Sequence, residues 1–234
     1  MYHSFLIGGS YYIVILITLV ITIIAQINVQ STFARYSKVF SGRGLSGMEA
    51  ASAILASQGI SNVRVGHVAG SMTDHYDPGR NAVNLSDTVY GQTSVSAVAV
   101  AAHECGHAVQ HAYGYAPLTL RTAIVPIVNF SSQISWFLIA AGLFINSSTG
   151  SILLKIGIIL FSAAVAFQII TLPVEFNASR RALSILEGNN MLSQEEMRGA
   201  RKVLRAAALT YVAAAATSVL QLLRLLFIAR NRED

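Results

Sequence analysis

The sequence of 234 residues predicts a mainly α-helical integral membrane protein with a small β component and three to four transmembrane helices. Hydrophobic residues make up 53% of the chain and charged residues only 12%, against about 25% charged in an ordinary soluble domain. The apolar residues are gathered into four long stretches. Between the first two, an Ala-rich run contains the pattern H-E-x-x-H, which predicts a helix that carries a metal site.

The first apolar stretch contains no Lys, Arg, Asp or Glu from Met1 to Ala34. Its segment from Phe5 to Ile27 is long enough to cross the hydrocarbon core of a bilayer. A cleaved signal peptide is the alternative, but a basic amino-terminal region is missing and the apolar run exceeds the usual length. We therefore expect residues 1–30 to form an uncleaved first transmembrane helix.

Residues 31–121 form a polar region that we expect to fold outside the bilayer. Ser46 and Glu49 make a capping box and Gly59 is a typical helix stop, so a helix is predicted over Gly47 to Gln58. Short strands are predicted at residues 63–65 and 82–85, with a turn or ordered loop between them at residues 74–79. A further helix is predicted from Ser94 to Ala112, with Gly114 ending it.

This last helix carries the H-E-x-x-H pattern as His103, Glu104 and His107. Two His four residues apart lie on one helix face, so both imidazoles can bind one zinc ion. Glu104 flanks that face, where a carboxylate can act as general base on a water held by the metal. Cys105 points away from it and is not expected to be a ligand.

A transmembrane hairpin, residues 122–174, is predicted after the polar region. Thr122 to Ile145 and Ile152 to Leu172 can each span, with a tight uncharged turn between them. The hairpin returns the chain to the side of His107 at Glu175, the only acidic residue between Glu104 and Glu187. A carboxylate at the membrane border is expensive unless it is compensated, so Glu175 is a candidate third zinc ligand. The alternative is an interfacial Glu paired with Arg180 or Arg181.

The rest of the chain is predicted as a helical region, residues 175–205, and a carboxyl-terminal apolar helix and tail, residues 206–234. Ser193 and Glu196 form another capping box, so one helix can run from the polar region into the apolar segment. Arg224 interrupts this segment, which either spans the bilayer or packs partly in the interface.

The basic residues predict the orientation of the chain. Six of the sixteen lie in residues 31–121 and another six in residues 180–205, whereas the turn at 146–151 has none. By the positive-inside rule, both polar regions face the cytoplasm. The carboxyl-terminal arginines conflict with this rule if the fourth segment spans fully; they are Arg224, Arg230 and Arg232. The net charge of +5 is explained by this topology and does not call for nucleic acid, and the single Cys excludes an intramolecular disulfide.

Seven long and specific motifs are spread along the chain, at residues 73–78, 84–86, 89–90, 101–110, 114–118, 128–130 and 172–179. Together they resemble the YugP-like family of bacterial membrane zinc peptidases over nearly the whole chain, from about Ser31 to Val212. The layout is also similar to that of HtpX-type peptidases, where a Glu follows a transmembrane hairpin.

The resemblance implies a zinc endopeptidase with a zincin-like (gluzincin-type) site that faces the cytoplasm of a multi-pass bacterial membrane protein, with Glu175 as third ligand. The substrate would be a polypeptide, either a membrane protein or a peptide. In HtpX-type relatives the Glu opens an E-x-x-x-D motif, but here Ser179 stands at the Asp position. A carboxylate that orients a zinc-binding His is therefore not evident, and Asp74, Asp77 or Asp87 are candidates to replace it.

Four residues are candidates for oxyanion or substrate contacts: His75, Asn84, Tyr90 and Arg180. The segment Asn81 to Ser86 could also bind substrate as an added strand. Three of these residues have a structural alternative: His75 can be a satisfied loop residue, Tyr90 can pack in the core and Arg180 can mark the cytoplasmic membrane border. His111 is expected on the surface, because one helix face cannot supply three ligands to one tetrahedral zinc.

Two other functions remain open from the sequence. A site-2-type intramembrane protease shares H-E-x-x-H but places it inside a spanning helix and takes an Asp ligand from a later span. No L-D-G-like pattern occurs in any span here. A non-enzymatic membrane scaffold with a structural zinc is the other, although such a site does not need Glu104. The sequence leaves the oligomeric state undetermined.

Overall fold

The computed structural model describes residues 2–232, with side chains from residue 12 onward, and most of this part is helical. Its elements are α1 (Tyr2–Tyr36), α2 (Gly47–Ser57), β1 (Arg64–Val68), β2 (His75–Asp77), β3 (Ala82–Ser86), α3 (Val95–Ala112), α4 (Ala116–Phe144), α5 (Ser148–Gly188) and α6 (Gln194–Arg230).

Four helices of the described chain, α1, α4, α5 and α6, are long and apolar enough to cross a membrane. The prediction of a mainly helical fold with a small sheet and three to four helices able to span a membrane is confirmed. By length and composition the fourth apolar segment also qualifies, although it contains Arg224.

One compact unit consists of Met1–Ala25, Leu120–Leu172 and Tyr211–Asp234. Its helices approach closely at glycines, and small residues at helix contacts are typical of apolar helices that pack in membranes. A Cβ on Gly142 would lie 2.5 Å from the backbone nitrogen of Leu154, and one on Gly157 would lie 2.7 Å from Ile139. These small residues therefore set the spacing between α4 and α5.

The second compact unit consists of Gln26–Thr119 and Pro173–Thr210. Its core buries Ala, Val, Leu and Ile side chains of α2, the sheet, α3, the last turns of α5 and the first turns of α6. The three predicted helix starts are confirmed. Ser46 and Glu49 form the capping box of α2, and Ser94 caps α3. At the start of α6, the side chains of Ser193 and Glu196 each accept from the backbone nitrogen of the other residue.

The sheet has the strand order β1-β3-β2, with β1 parallel and β2 antiparallel to β3. The two predicted strands are present, although β1 begins one residue later than predicted and extends to Val68. The prediction of a turn or ordered loop over residues 74–79 is wrong at His75–Asp77, which forms β2. The turn covers residues 78–81, and Asp77 Oδ1 closes it by accepting from the backbone nitrogens of Gly79 and Arg80.

Helix α5 continues from the apolar stretch through Pro173 and Glu175 to Gly188 without a break. The sequence predicts a boundary at this point, between a membrane hairpin and a separate helical region. A proline removes one backbone donor but tolerates a continued helix where the surrounding contacts hold it. Val174, Ala178 and Ala182 of this part are fully buried.

Candidate metal centre

Helix α3 presents His103 and His107 one turn apart on the same face, as the spacing predicts. Their ring centroids are 4.9 Å apart and the rings are nearly perpendicular. Both rings are largely buried, with side-chain exposures of 12% for His103 and 9% for His107. Polar groups that are this buried require partners, which here come from α5 and from α3 itself.

Close contact between α3 and α5 is possible because residue 106 is a glycine. A Cβ at Gly106 would lie 2.5 Å from the carbonyl oxygen of Ala178 and 3.2 Å from its Cα, too close for any side chain. The second variable position of H-E-x-x-H therefore lies directly against the backbone of α5. This contact places Glu175, one turn before Ala178, beside the two imidazoles.

The Glu175 carboxylate lies against both histidines. Its Oε2 is 3.2 Å from His103 Nε2 and 3.5 Å from His107 Nε2, and the side chain is 2% exposed. Among residues with described side chains, these three form the one group of His, Cys, Asp and Glu close enough to hold a metal ion. Two ligands of a tetrahedral zinc, each about 2.0–2.1 Å from the ion, are separated by about 3.4 Å. The nature of the donors and their spacing therefore fit zinc.

The far nitrogens of the two histidines have hydrogen-bonding partners of their own. His103 Nδ1 lies 3.1 Å from Ser179 Oγ, and His107 Nδ1 lies 3.0 Å from Gln110 Oε1. Gln110 is fully buried, and its Nε2 donates to the carbonyl of Val174 and to Asn177 Oδ1. Both Nε2 atoms are thus left directed at Glu175.

The hydrogen-bond network around Gln110 extends through Asn177 to the guanidinium group of Arg181. Arg181 Nε donates to Asn177 Oδ1 at 2.8 Å, and its guanidinium lies 5.9 Å from the centre of the Tyr115 ring. Asn177 therefore accepts from both Gln110 and Arg181. The amide of Gln110 is fixed in the orientation that offers its oxygen to His107.

The electrostatics of the site follow from its two carboxylates. Burial alone would lower the pKa of His107, but hydrogen bonding to Glu175 and the negative charges of Glu104 and Glu175 outweigh it and raise the pKa. Burial, together with the charge of Glu104, raises the pKa of the Cys105 thiol far above its ordinary value. Cys105 Sγ donates to the carbonyl of Ala51, 3.6 Å away in α2, so it belongs to the core.

Three of the candidate oxyanion or substrate residues make their described contacts outside the metal centre; they are His75, Asn84 and Tyr90. His75 Nε2 lies 3.1 Å from Asn84 Nδ2, its partner across the β2–β3 ladder, and His75 Nδ1 contacts the carbonyl of Thr73. Tyr90 packs partly buried against the core and edge-on to His67. His111 is exposed, as expected, and its Nδ1 lies 2.7 Å from the hydroxyl of Tyr76.

The three aspartates that could have oriented a histidine are engaged in the loops around the sheet. Asp74 accepts from the backbone and hydroxyl of Ser86, and Asp77 holds the turn before β3. Asp87 accepts from Gly70 and pairs with His67, and both contacts hold the pKa of its carboxyl below the usual value. The contact to the far nitrogen of His103 comes from Ser179, at the sequence position where the related motif has an Asp.

The prediction that residues 81–86 bind substrate as an added strand is wrong. Strand β3 is the central strand of the sheet, with β1 on one side and β2 on the other. Its ladder groups are therefore already paired over Ala82 to Asn84 on both sides. The open edges of the sheet belong to β1 and β2.

Comparison with known proteins bears directly on this centre. The model of a protein family described as “Putative neutral zinc metallopeptidase” matches residues 11–230, which include all three clustered residues. The chain belongs to this family. It is also 50% identical over 210 residues, 90% of its own length and 92% of the relative's, to “Putative membrane protease YugP” from Bacillus subtilis (strain 168). No solved structure matches the chain significantly.

Family membership relates the three clustered residues to zinc peptidases, but the hydrogen bonds around them are seen only in the structure. The sequence indicated His103, His107 and Glu175, and it gave no role to Gln110 or Asn177. The available signal was weak: Gln110 lies three residues after His107, on the same helix face, and Asn177 lies two residues after Glu175. A polar side chain on the buried face of an apolar helix is the feature that distinguishes Gln110.

Proposed function

We propose that the protein is a zinc-dependent membrane endopeptidase whose metal is held by His103, His107 and Glu175. The observation that carries this proposal is the meeting of three largely buried donor side chains from two helices. Glu175 Oε2 lies 3.2 and 3.5 Å from the two imidazole nitrogens, close to the separation of two ligands on one tetrahedral ion. Three protein donors leave a fourth position for water or substrate, which a closed structural site would not. A bound zinc ion supplies a Lewis acid for the scissile carbonyl and lowers the pKa of the attacking water.

Glu104 is the general base in this proposal. It precedes Cys105 on α3, is 8% exposed, and lies near enough to His107 for its charge to affect that imidazole. Its carboxylate takes a proton from the attacking water and then gives it to the amine that leaves when the peptide bond breaks.

Ser179 and Gln110 position the two histidines. Gln110 Oε1 can only accept, so His107 Nδ1 carries the proton and its Nε2 keeps a lone pair for the metal. The Ser179 hydroxyl holds His103 Nδ1, and it favours the same arrangement when it accepts from that nitrogen. A serine hydroxyl is a neutral partner, so His103 receives less electron density than a carboxylate partner would provide.

The substrate strand is proposed to add to the open edge of β2. This strand contacts the zinc-binding helix directly, because the Tyr76 hydroxyl bonds His111, one turn after His107. Main-chain hydrogen bonds at an open edge bind an extended peptide with little dependence on sequence. His75 and Asn84 would then act by stiffening this edge through their cross-strand contact.

An intramembrane site of the site-2 type is less well supported. Helix α3 is not among the four candidate spans of the described chain, and it packs against α2 and the sheet in the second unit. The third donor is also a Glu rather than an Asp. These features favour a peptidase that works beside the bilayer.

Metal removal tests the proposed function. Treatment of the purified protein with 1,10-phenanthroline is expected to abolish cleavage of an unfolded protein substrate, and stoichiometric Zn²⁺ should restore it. Metal content and cleavage products are both measured, by atomic spectrometry and mass spectrometry. Full cleavage by protein shown to be metal-free would overturn the proposal, and metal binding without any cleavage would favour a scaffold.

The proposed orientation places the second unit in the cytoplasm, from the distribution of basic residues. Single cysteines at Gln92 or Gly188 should be labelled by an impermeant maleimide only in opened cells, and one at Ser148 in intact cells. All three positions are exposed, and the native Cys105 is buried, so background labelling is low. Labelling of Gln92 and Ser148 from the same side would contradict this topology.

A further inference from the structure

A cavity of about 620 Å³ opens within the second unit, between the last turns of α5 and the first turns of α6. Its walls combine apolar side chains with three guanidinium groups. The lining residues that matter here are Phe176, Ser179, Arg180, Glu187, Arg201 and Arg205.

The cavity adjoins the candidate metal centre. Ser179 forms part of its wall and lies 3.1 Å from His103 Nδ1, and Phe176 directly follows Glu175 in the chain. An extended peptide advances about 3.3 Å per residue. Ser179 contacts the ring nitrogen of His103 that faces away from Glu175, so the wall of the cavity and the proposed metal position lie on opposite sides of one imidazole ring. A few residues of an extended peptide would cover this separation.

The charge of the cavity is positive and unbalanced. Arg180, Arg201 and Arg205 are exposed to it, against the single carboxylate of Glu187. Within residues 12–232, no carboxylate forms an ion pair with any of these three arginines. Guanidinium groups bind carboxylates in a planar, two-bond geometry, so three of them around one opening suit an anionic ligand.

We propose that this cavity binds a carboxylate of the peptide substrate, and that the enzyme prefers to cleave near an acidic side chain or a free carboxyl terminus. The proposal rests on the proposed peptidase function. The apolar wall formed by Leu183 and Leu204 would cover the aliphatic part of a Glu side chain, while Arg201 and Arg205 bind its head. A phospholipid phosphate is the competing ligand, and a comparison of membranes with and without anionic lipid distinguishes the two.

The test uses the full-length, zinc-loaded protein and paired peptides that differ only by Glu or Gln at one position near the scissile bond. The wild type is expected to show a kcat/KM about tenfold higher for Glu at one position, since a charge-assisted contact is lost with Gln. The double variant Arg201→Gln/Arg205→Gln should bring this ratio close to one. Lys202→Gln is the matched control, because it removes one charge from the same turns of α6, is exposed, and does not line the cavity.

Peptides with a free or an amidated carboxyl terminus distinguish the two sources of the carboxylate. If the wild type cleaves both the Glu and the Gln peptide with a kcat/KM ratio near one, the proposed carboxylate site is wrong. The proposed peptidase function is unaffected by this result. If the wild type cleaves no peptide, binding decides: fluorescently labelled Glu and Gln peptides are titrated into Glu104→Gln protein with and without the arginine substitutions. Equal binding in all cases overturns the proposal.

A measurement in defined lipids distinguishes a peptide carboxylate from a lipid phosphate as the ligand of the cavity. The same variants are measured in nanodiscs with and without phosphatidylglycerol. If the arginine substitutions leave the Glu-to-Gln ratio unchanged but remove a dependence on the anionic lipid, the cavity binds a lipid phosphate and the proposal is wrong.

Discussion

Glu104→Gln is expected to retain zinc and to lower peptide hydrolysis by about 10²–10⁴-fold, the usual contribution of a general base. The substitution leaves His103, His107 and Glu175 in place and changes the shape of residue 104 very little. An amide cannot accept the proton of the attacking water, so the loss should fall on kcat rather than on metal affinity. Measurement requires kcat and KM for one peptide together with zinc content of each protein.

Glu195→Gln is the matched control, because it removes an exposed carboxylate from the first turn of α6, away from the cluster. It should match the wild type in both measurements. Hydrolysis by Glu104→Gln at the wild-type rate would refute the proposed role of this carboxylate. Loss of zinc from Glu104→Gln would instead give Glu104 a part in holding the metal.

Local signals predicted much of this fold. The capping boxes at Ser46 and Ser193 act within one helical turn, and the structure shows both helix starts where they indicate. The spacing of His103 and His107 depends only on the period of the helix. Such features are readable because the contacts that produce them join residues three or four apart.

Features that depend on distant partners were harder to predict. Strand β2 has three residues, with the composition of a turn, and it exists because Tyr76 and its neighbours pair with β3. Helix α5 passes through Pro173 because buried packing on both sides holds it. The contact of Ser179 with His103 depends on the rotation of α5 against α3, which Gly106 permits and no local pattern specifies.

Glu175→Ala should lower zinc affinity by at least tens-fold and abolish hydrolysis with it. Even residues that only orient a ligand typically contribute about 10–100-fold to metal affinity. Removal of a direct donor leaves two imidazoles to hold the ion and also removes the negative charge that compensates it. The measurement is competition for zinc against a chelator of known affinity, with Glu195→Ala as the matched control.

Glu175→Asp provides the sharper test, because it keeps the negative charge but shortens the side chain by about one methylene group. In the wild type, Glu175 Oε2 lies 3.2 Å from His103 Nε2 and 3.5 Å from His107 Nε2. A role as ligand predicts intermediate affinity, since the oxygen no longer reaches the same point while Gly106 keeps α5 pressed against α3. A role as a mere counter-charge predicts nearly full affinity for Asp and a large loss only for Ala. Full zinc occupancy of Glu175→Ala under chelation would move the third ligand to Asp74, Asp77 or His75, whose bonds to Ser86, Gly79 and Asn84 would have to break first.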